Sequence, residues 1–194
     1  MDICTIIQRQ HDEQRTQFGY LEQWPRDDVK GLGAVWQRLA ILLETHAAAE
    51  EKHFYPQLLA LGTGAADAGG TNDEVDDAIG DHNDIRDAIR RAADEKVGSE
   101  EWWKAVVDAN VANSNHMGEE ERQDLADFRQ QATLELRHEL AIKFLREMAL
   151  TASDGVTPVD RDPQEYVETA KDTSVESDRN ESLPDQSLTA SEQE

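Results

Sequence analysis

The sequence predicts an all-α protein: an up-down-up-down four-helix bundle, one additional C-terminal helix, and a disordered acidic tail. Three observations predict it. Apolar residues recur at steps of three and four through residues 1–150, the period of a helix, and no segment alternates as a strand does. The breaks between these stripes are short or glycine-rich, so successive helices run antiparallel. From residue 151 the composition changes: twelve acids face three bases, and three of the five prolines fall there.

The first stripe is Ile3, Ile7, His11, Gln14, Phe18 and Leu21. It ends near "QWPRDD", because Pro25 disfavours helical geometry at Trp24. The second runs Leu32, Val35, Leu39, Leu42/Leu43, His46, Glu50 and His53, and "LGTGAADAGGTND" after it reads as a loop. Val75, Ile79, His82, Ile85 and Ile89 mark the third helix, which stops near "KVGSEE". Ser99 opens the fourth, whose stripe is Trp102, Val106, Ala109, Ala112/Asn113, His116 and Glu120. A fifth helix, "TLELRHELAIKFLREMAL", puts Leu134, Ala141, Leu145 and Met148 on one face. Residues 1–150 therefore read as one helical domain. Residues 151–194, with so little apolar surface to offset ordering entropy, read as a solvating tail that is also open to a protein partner.

Charge narrows the function. A net charge of −23 argues against nucleic acid and anionic membranes as partners. No apolar run is long enough to span a bilayer. The start of the chain, "MDICTIIQRQ", shows no secretory signal, so a cytoplasmic location is expected. The single cysteine, Cys4, reads as a small packing residue.

The histidines carry the chemistry. There are six, at 11, 46, 53, 82, 116 and 138, and each of the first four helices places at least one on its apolar stripe. A lone buried histidine is usually a hydrogen-bonded core residue, but four helices doing the same thing is a pattern. Two of the helices add a carboxylate one turn later, as His46 with Glu50 and His116 with Glu120. Residues i and i+4 share a helix face about 6 Å apart along the axis, so each pair can grip one metal centre. Buried carboxylates are costly without a cation to neutralise them. Four imidazoles with two carboxylates exceed the four ligands of structural zinc and include too much nitrogen for calcium or magnesium. Iron or manganese suits the set, in a pair.

This ordered set resembles the hemerythrin-like family, the HHE cation-binding proteins. In that family, four successive helices carry H, H-x-x-x-E, H and H-x-x-x-E. Here the matching residues are His11, His46 with Glu50, His82, and His116 with Glu120. The likeness spans roughly residues 3 to 130, and "HAAAEEKHFYP" fits the family's H-x-x-x-E-E-x-x-hydrophobic-aromatic-P pattern. The resemblance implies a non-haem di-iron centre, two Fe ions bridged by Glu50, Glu120 and an oxo or hydroxo oxygen.

The chain departs from the oxygen carriers of that family. They have a second histidine one turn after the third-helix ligand, where this chain has Arg86. Their last carboxylate is an aspartate five residues after its histidine, whereas Glu120 follows His116 by four. The proline expected after the second motif is replaced by "RQDLADF". Six side chains and a bridging oxygen fill about ten of roughly twelve positions on two six-coordinate irons, which leaves room for a small ligand. His53, on the same stripe, and Tyr55, if Pro56 distorts the helix, are alternatives for a seventh ligand. Arg86 reads by default as a solvated helix arginine, with pairing to a buried carboxylate or gating of access as alternatives. Glu51, Glu119 and Glu121 read as surface or supporting acids, and His138 as structural.

The expected function is binding or reducing a small oxidant (oxygen, hydrogen peroxide or nitric oxide), with peroxide decomposition favoured. The alternative is an oxygen- or iron-responsive sensor without turnover.

Overall fold

The computed structural model describes residues 1–64 and 70–171, and these are helical with no strand. Helix α1 spans Ile3–Gln23 and α2 spans Val29–Ala49. A π-helical turn, Glu50–Phe54, links α2 to α3, Tyr55–Leu61. Helix α4 is Thr71–Asp94, α5 Glu100–Arg122, α6 Asp124–Gln131 and α7 Leu134–Asp154. Residues 163–171 form an eighth helix, α8.

Side chains at the starts satisfy backbone donors that would otherwise be orphaned. Asp2 accepts from the Cys4 amide, Asp28 from Gly31, Ser99 from Trp102 and Thr133 from Leu136. Helices α1, α2, α4 and α5 pack in a closed ring, each against its neighbours, as the predicted bundle requires. Helix α7 lies along α1, α2 and the π turn. Between α3 and α4, the Asp127 carboxylate accepts from the amides of Thr63 (2.7 Å) and Gly64 (3.1 Å), which ties the described end of that loop to α6.

The apolar core is split in two. One cluster joins Ile3, Ile7, Phe54, Tyr55, Leu58, Ile79, Leu125, Phe128 and Phe144. The other joins Phe18, Leu21, Leu32, Trp36, Leu39, Leu43, Ile85 and Trp102. Between them each bundle helix contributes a buried polar residue: His11, His46, His82 and His116. A polar layer is thus sealed above and below by apolar packing.

Three expectations change. The second helix does not run unbroken through His53, because the π turn intervenes. The fifth predicted helix buries Leu140, Ala141 and Phe144, while Leu134 and Leu145 face outward. Leu134 is the first residue after the Thr133 cap, where the chain has not yet reached the bundle. The tail boundary moves as well. Helix α7 continues to Asp154, and α8 buries Tyr166, Val167 and Ala170 in the first apolar cluster. Three apolar contacts suffice because polar clips hold the connecting strap. Arg90 donates to both oxygens of Asp160 (2.8 and 2.7 Å), and Asn83 exchanges hydrogen bonds with the Arg161 backbone. The disordered tail expected over residues 172–194 lies outside the described residues.

Candidate metal centre

The four imidazoles of the polar layer meet in two pairs. His11 Nε2 stands 3.2 Å from His46 Nε2, and His82 Nε2 stands 3.2 Å from His116 Nε2. Two imidazole nitrogens bound to one metal at about 2.1 Å stand about 3 Å apart, so each pair has the separation of adjacent ligands.

Glu50 lies between the pairs. Its Oε1 is 2.8 Å from His46 Nε2, and its Oε2 is 3.4 Å from His82 Nε2 and 4.0 Å from His116 Nε2. Glu120 approaches from α5, with Oε2 3.2 Å from His11 Nε2. Ligand atoms of His11, Glu50, His116 and Glu120 all fall within 4.8 Å of one another, a grouping that can hold a metal ion. The oxygens of Glu50 and Glu120 are buried with no well-formed hydrogen bond among them. Two carboxylates in that condition fit a cation and fit poorly with a plain core, where burial demands partners.

The outward nitrogens are held. His11 Nδ1–H donates to Glu121 (3.0 Å), His46 Nδ1–H to Gln10 Oε1 (2.7 Å) and His82 Nδ1–H to Glu51 (3.0 Å). Asp81 Oδ2 is 3.9 Å from His116 Nδ1. An outward Nδ1–H leaves the Nε2 lone pair facing inward, the tautomer a metal ligand needs. Glu51 is itself gripped by Arg86 (2.6 Å) and, from the strap, by Arg161 (2.6 Å), and Tyr166 donates to its carbonyl. Arg86 is buried and also reaches Glu44 at 3.3 Å, so it pairs with buried carboxylates instead of facing solvent.

Protonation alternates around the layer. Burial opposes charge on His11, but hydrogen bonds to Glu120 and Glu121 outweigh it and raise the imidazole to about 9. His82 is likewise raised to about 9 against its burial, by Glu50 and Glu51. Burial pushes His46 and His116 the other way, and the His82 charge adds to the fall of His116. Glu50 is held well below the carboxylate range, its burial overcome by His46 and His82. Burial and the Glu50 charge push Glu120 up to about 7.

The π turn decides which residue follows Glu50 into the site. The Tyr55 amide donates to the Glu50 carbonyl, five residues back, so one extra residue fits in the turn. Pro56 explains it: proline cannot donate, and its ring crowds the carbonyl four residues earlier. The shift turns Tyr55 inward, fully buried, its ring 5.8 Å from that of His82 and its hydroxyl without a hydrogen-bond partner. Burial, with Glu120 and Glu50 nearby, raises its pKa well above the usual value.

This geometry goes with a sequence match. The hemerythrin HHE cation-binding domain model matches residues 2–128, well over half the chain. The chain belongs to the hemerythrin HHE family. No curated protein and no solved structure matches it. Membership implies metal binding, typically of iron, and the His/Glu cluster fits that role. No helix is long and apolar enough to cross a membrane among the described residues.

Of the residues singled out from sequence, His11, His46, Glu50, His82, His116 and Glu120 meet in the buried polar layer. His53 does not: its Nε2 lies 3.7 Å from Glu147 of α7. His138 is near the chain start, 3.2 Å from the Met1 amine. Cys4 is buried, which with nearby Asp2 raises its thiol to about 12, as suits a packing residue. Sequence reading missed Gln10 and the strap residues Arg161 and Tyr166. Gln10 carried a faint signal, a polar residue beside a stripe histidine. The strap residues carried none.

Proposed function

We propose that this hemerythrin HHE protein holds a non-haem di-iron centre that decomposes hydrogen peroxide, within a wider ability to bind or reduce small oxidants such as oxygen and nitric oxide. His11 and His46 would hold one iron, His82 and His116 the other, and Glu50 and Glu120 would span the two. The observation that carries the reading is Glu50, wholly buried with one oxygen turned to each histidine pair. The iron pair, when bound, supplies the electrons that one peroxide molecule accepts and a second returns. Two peroxides then give two waters and one oxygen, with no outside reductant.

The chain does the rest. The two apolar clusters cover the polar layer on two sides. Gln10, Glu51 and Glu121 fix the imidazole rings, so little reorganisation is needed when ligands change. Tyr55 Oη, buried and without a hydrogen-bond partner among the described residues, would donate its proton to a molecule bound at the centre. Tyr55→Phe should keep the iron content and lower the rate of oxygen evolution on the order of a hundredfold. Equal rates in parent and variant would remove Tyr55 from the reaction.

A sensor is the second reading, favoured by the chain of contacts from His82 through Glu51 to Arg161 and Tyr166 of the strap. An oxygen electrode separates the two. Many turnovers per chain, lost on iron removal, support peroxide decomposition. A single slow spectral change, with faster proteolysis of the strap, supports sensing.

A further inference from the structure

A cavity of about 330 Å³ opens beside the centre, between the start of α4 and the junction of α5 with α6. Its floor includes His116 and Glu120. Its wall carries Asp73, Asp77 and Asp81, spaced four apart on one face of α4, and Glu119 and Asp124 opposite, with no lysine or arginine. Asp73 and Asp77 are at the exposed rim, Asp81 is half-buried, and Asp124 is only 3% exposed.

Asp124 is the telling residue. It begins α6 and lines the cavity, and among the described residues its carboxylate has neither a hydrogen bond nor an ion pair. A buried carboxyl beside Glu120 is costly to ionise, and a cation in passage would offset that cost. Asp81 continues the path, its Oδ2 3.9 Å from His116 Nδ1.

We propose that this cavity is the inlet by which ferrous iron reaches the centre: Asp73 and Asp77 collect the hydrated ion, and Asp81 and Asp124 hand it to Glu120 and His116. The inference rests on the di-iron reading. Hard carboxylate oxygens, weakly constrained and at successive depths, suit a cation that must bind and then move on. A funnel of one charge sign also raises local cation concentration and its arrival rate by tenfold or more.

The test is the rate of Fe²⁺ uptake by the full-length chain stripped of metal, followed anaerobically by stopped flow, with bound iron counted at the end. Three proteins are compared: the parent, Asp73→Asn/Asp77→Asn at the rim, and Glu100→Gln/Glu101→Gln, which removes the same charge from the exposed start of α5. The rim variant should load on the order of tenfold more slowly, reach the parent's final iron content, and lose most of the parent's sensitivity to salt. The α5 variant should load at the parent's rate. Equal rates in all three would overturn the inlet while leaving the metal centre standing. Equal slowing in both variants would also overturn it, by assigning the effect to net charge. No iron bound by the parent at any time would overturn the centre and the inlet together.

Discussion

Glu50→Ala should leave the purified protein with almost no iron, with a helical signal matching that of the parent. Glu50 has an oxygen turned to each histidine pair, 2.8 Å from His46 Nε2 and 3.4 Å from His82 Nε2. Removing it takes a ligand from both sides at once. It also leaves His82, raised to about 9 partly by this carboxylate, without one of the charges that holds it. Loss of a supporting hydrogen bond typically costs 10–100-fold in metal affinity, so loss of a shared ligand should cost more. His46→Ala and His82→Ala should each do less, weakening one iron more than the other. Glu119→Gln, on the same helix as Glu120 but on the cavity wall, should retain the parent's content. Metal analysis checks all four. A Glu50→Ala protein that keeps its full iron would contradict the spanning role.

Removing iron with a chelator should lower the melting temperature by on the order of 10 °C near pH 7, and by more near pH 9. A ligand at a thousand times its Kd adds roughly 4 kcal/mol, and each kcal/mol moves a domain of this size by about 2–4 °C. The pH dependence follows from protons. His11 and His82 bind theirs at about 9 when folded against an ordinary 6.5, so the stability they lend the stripped chain is full below pH 6.5 and gone by pH 9. Glu120, held at about 7 against 4.5, keeps a proton that the unfolded chain gives up, which costs stability as pH rises through 4.5 to 7. The Glu120 cost is complete near pH 7, and the histidine loss weakens the stripped protein from pH 6.5 to 9. In the loaded protein the same nitrogens and oxygens would hold iron, so the loss should not occur there. Calorimetry of both forms at pH 6.5, 7.5 and 8.5 should show the gap widening. A constant or shrinking gap would mean that these groups are not the ones metal occupies.

What the sequence made legible was the part written in helical period. His11, His46, His82 and His116 stood on apolar stripes, so the polar layer could be placed before any coordinates. The resemblance of the ordered set to the HHE proteins then named its purpose. Features that depend on a broken period were harder. The π turn replaces Phe54 by Tyr55 on Glu50's face, and only Pro56 hinted at it. The face of α7 was misjudged at Leu134 because a helix's first residue need not reach the bundle. The strap was misread because composition measures average hydrophobicity, whereas Tyr166, Val167 and Ala170 needed only a site to fit and ion pairs to hold them. The acidic wall was present in "NDEVDDAIGDHND", but its meaning depended on Asp124, forty-three residues past Asp81 and packed opposite it.

The central claim is that one chain holds two irons, each between a pair of histidines. Native mass spectrometry of the protein produced in iron-rich medium, beside His46→Ala and His82→Ala, tests it most directly. The account predicts two irons in the parent and a dominant one-iron species in each variant. A single metal in the parent, zinc in place of iron, or variants that keep both irons would contradict it.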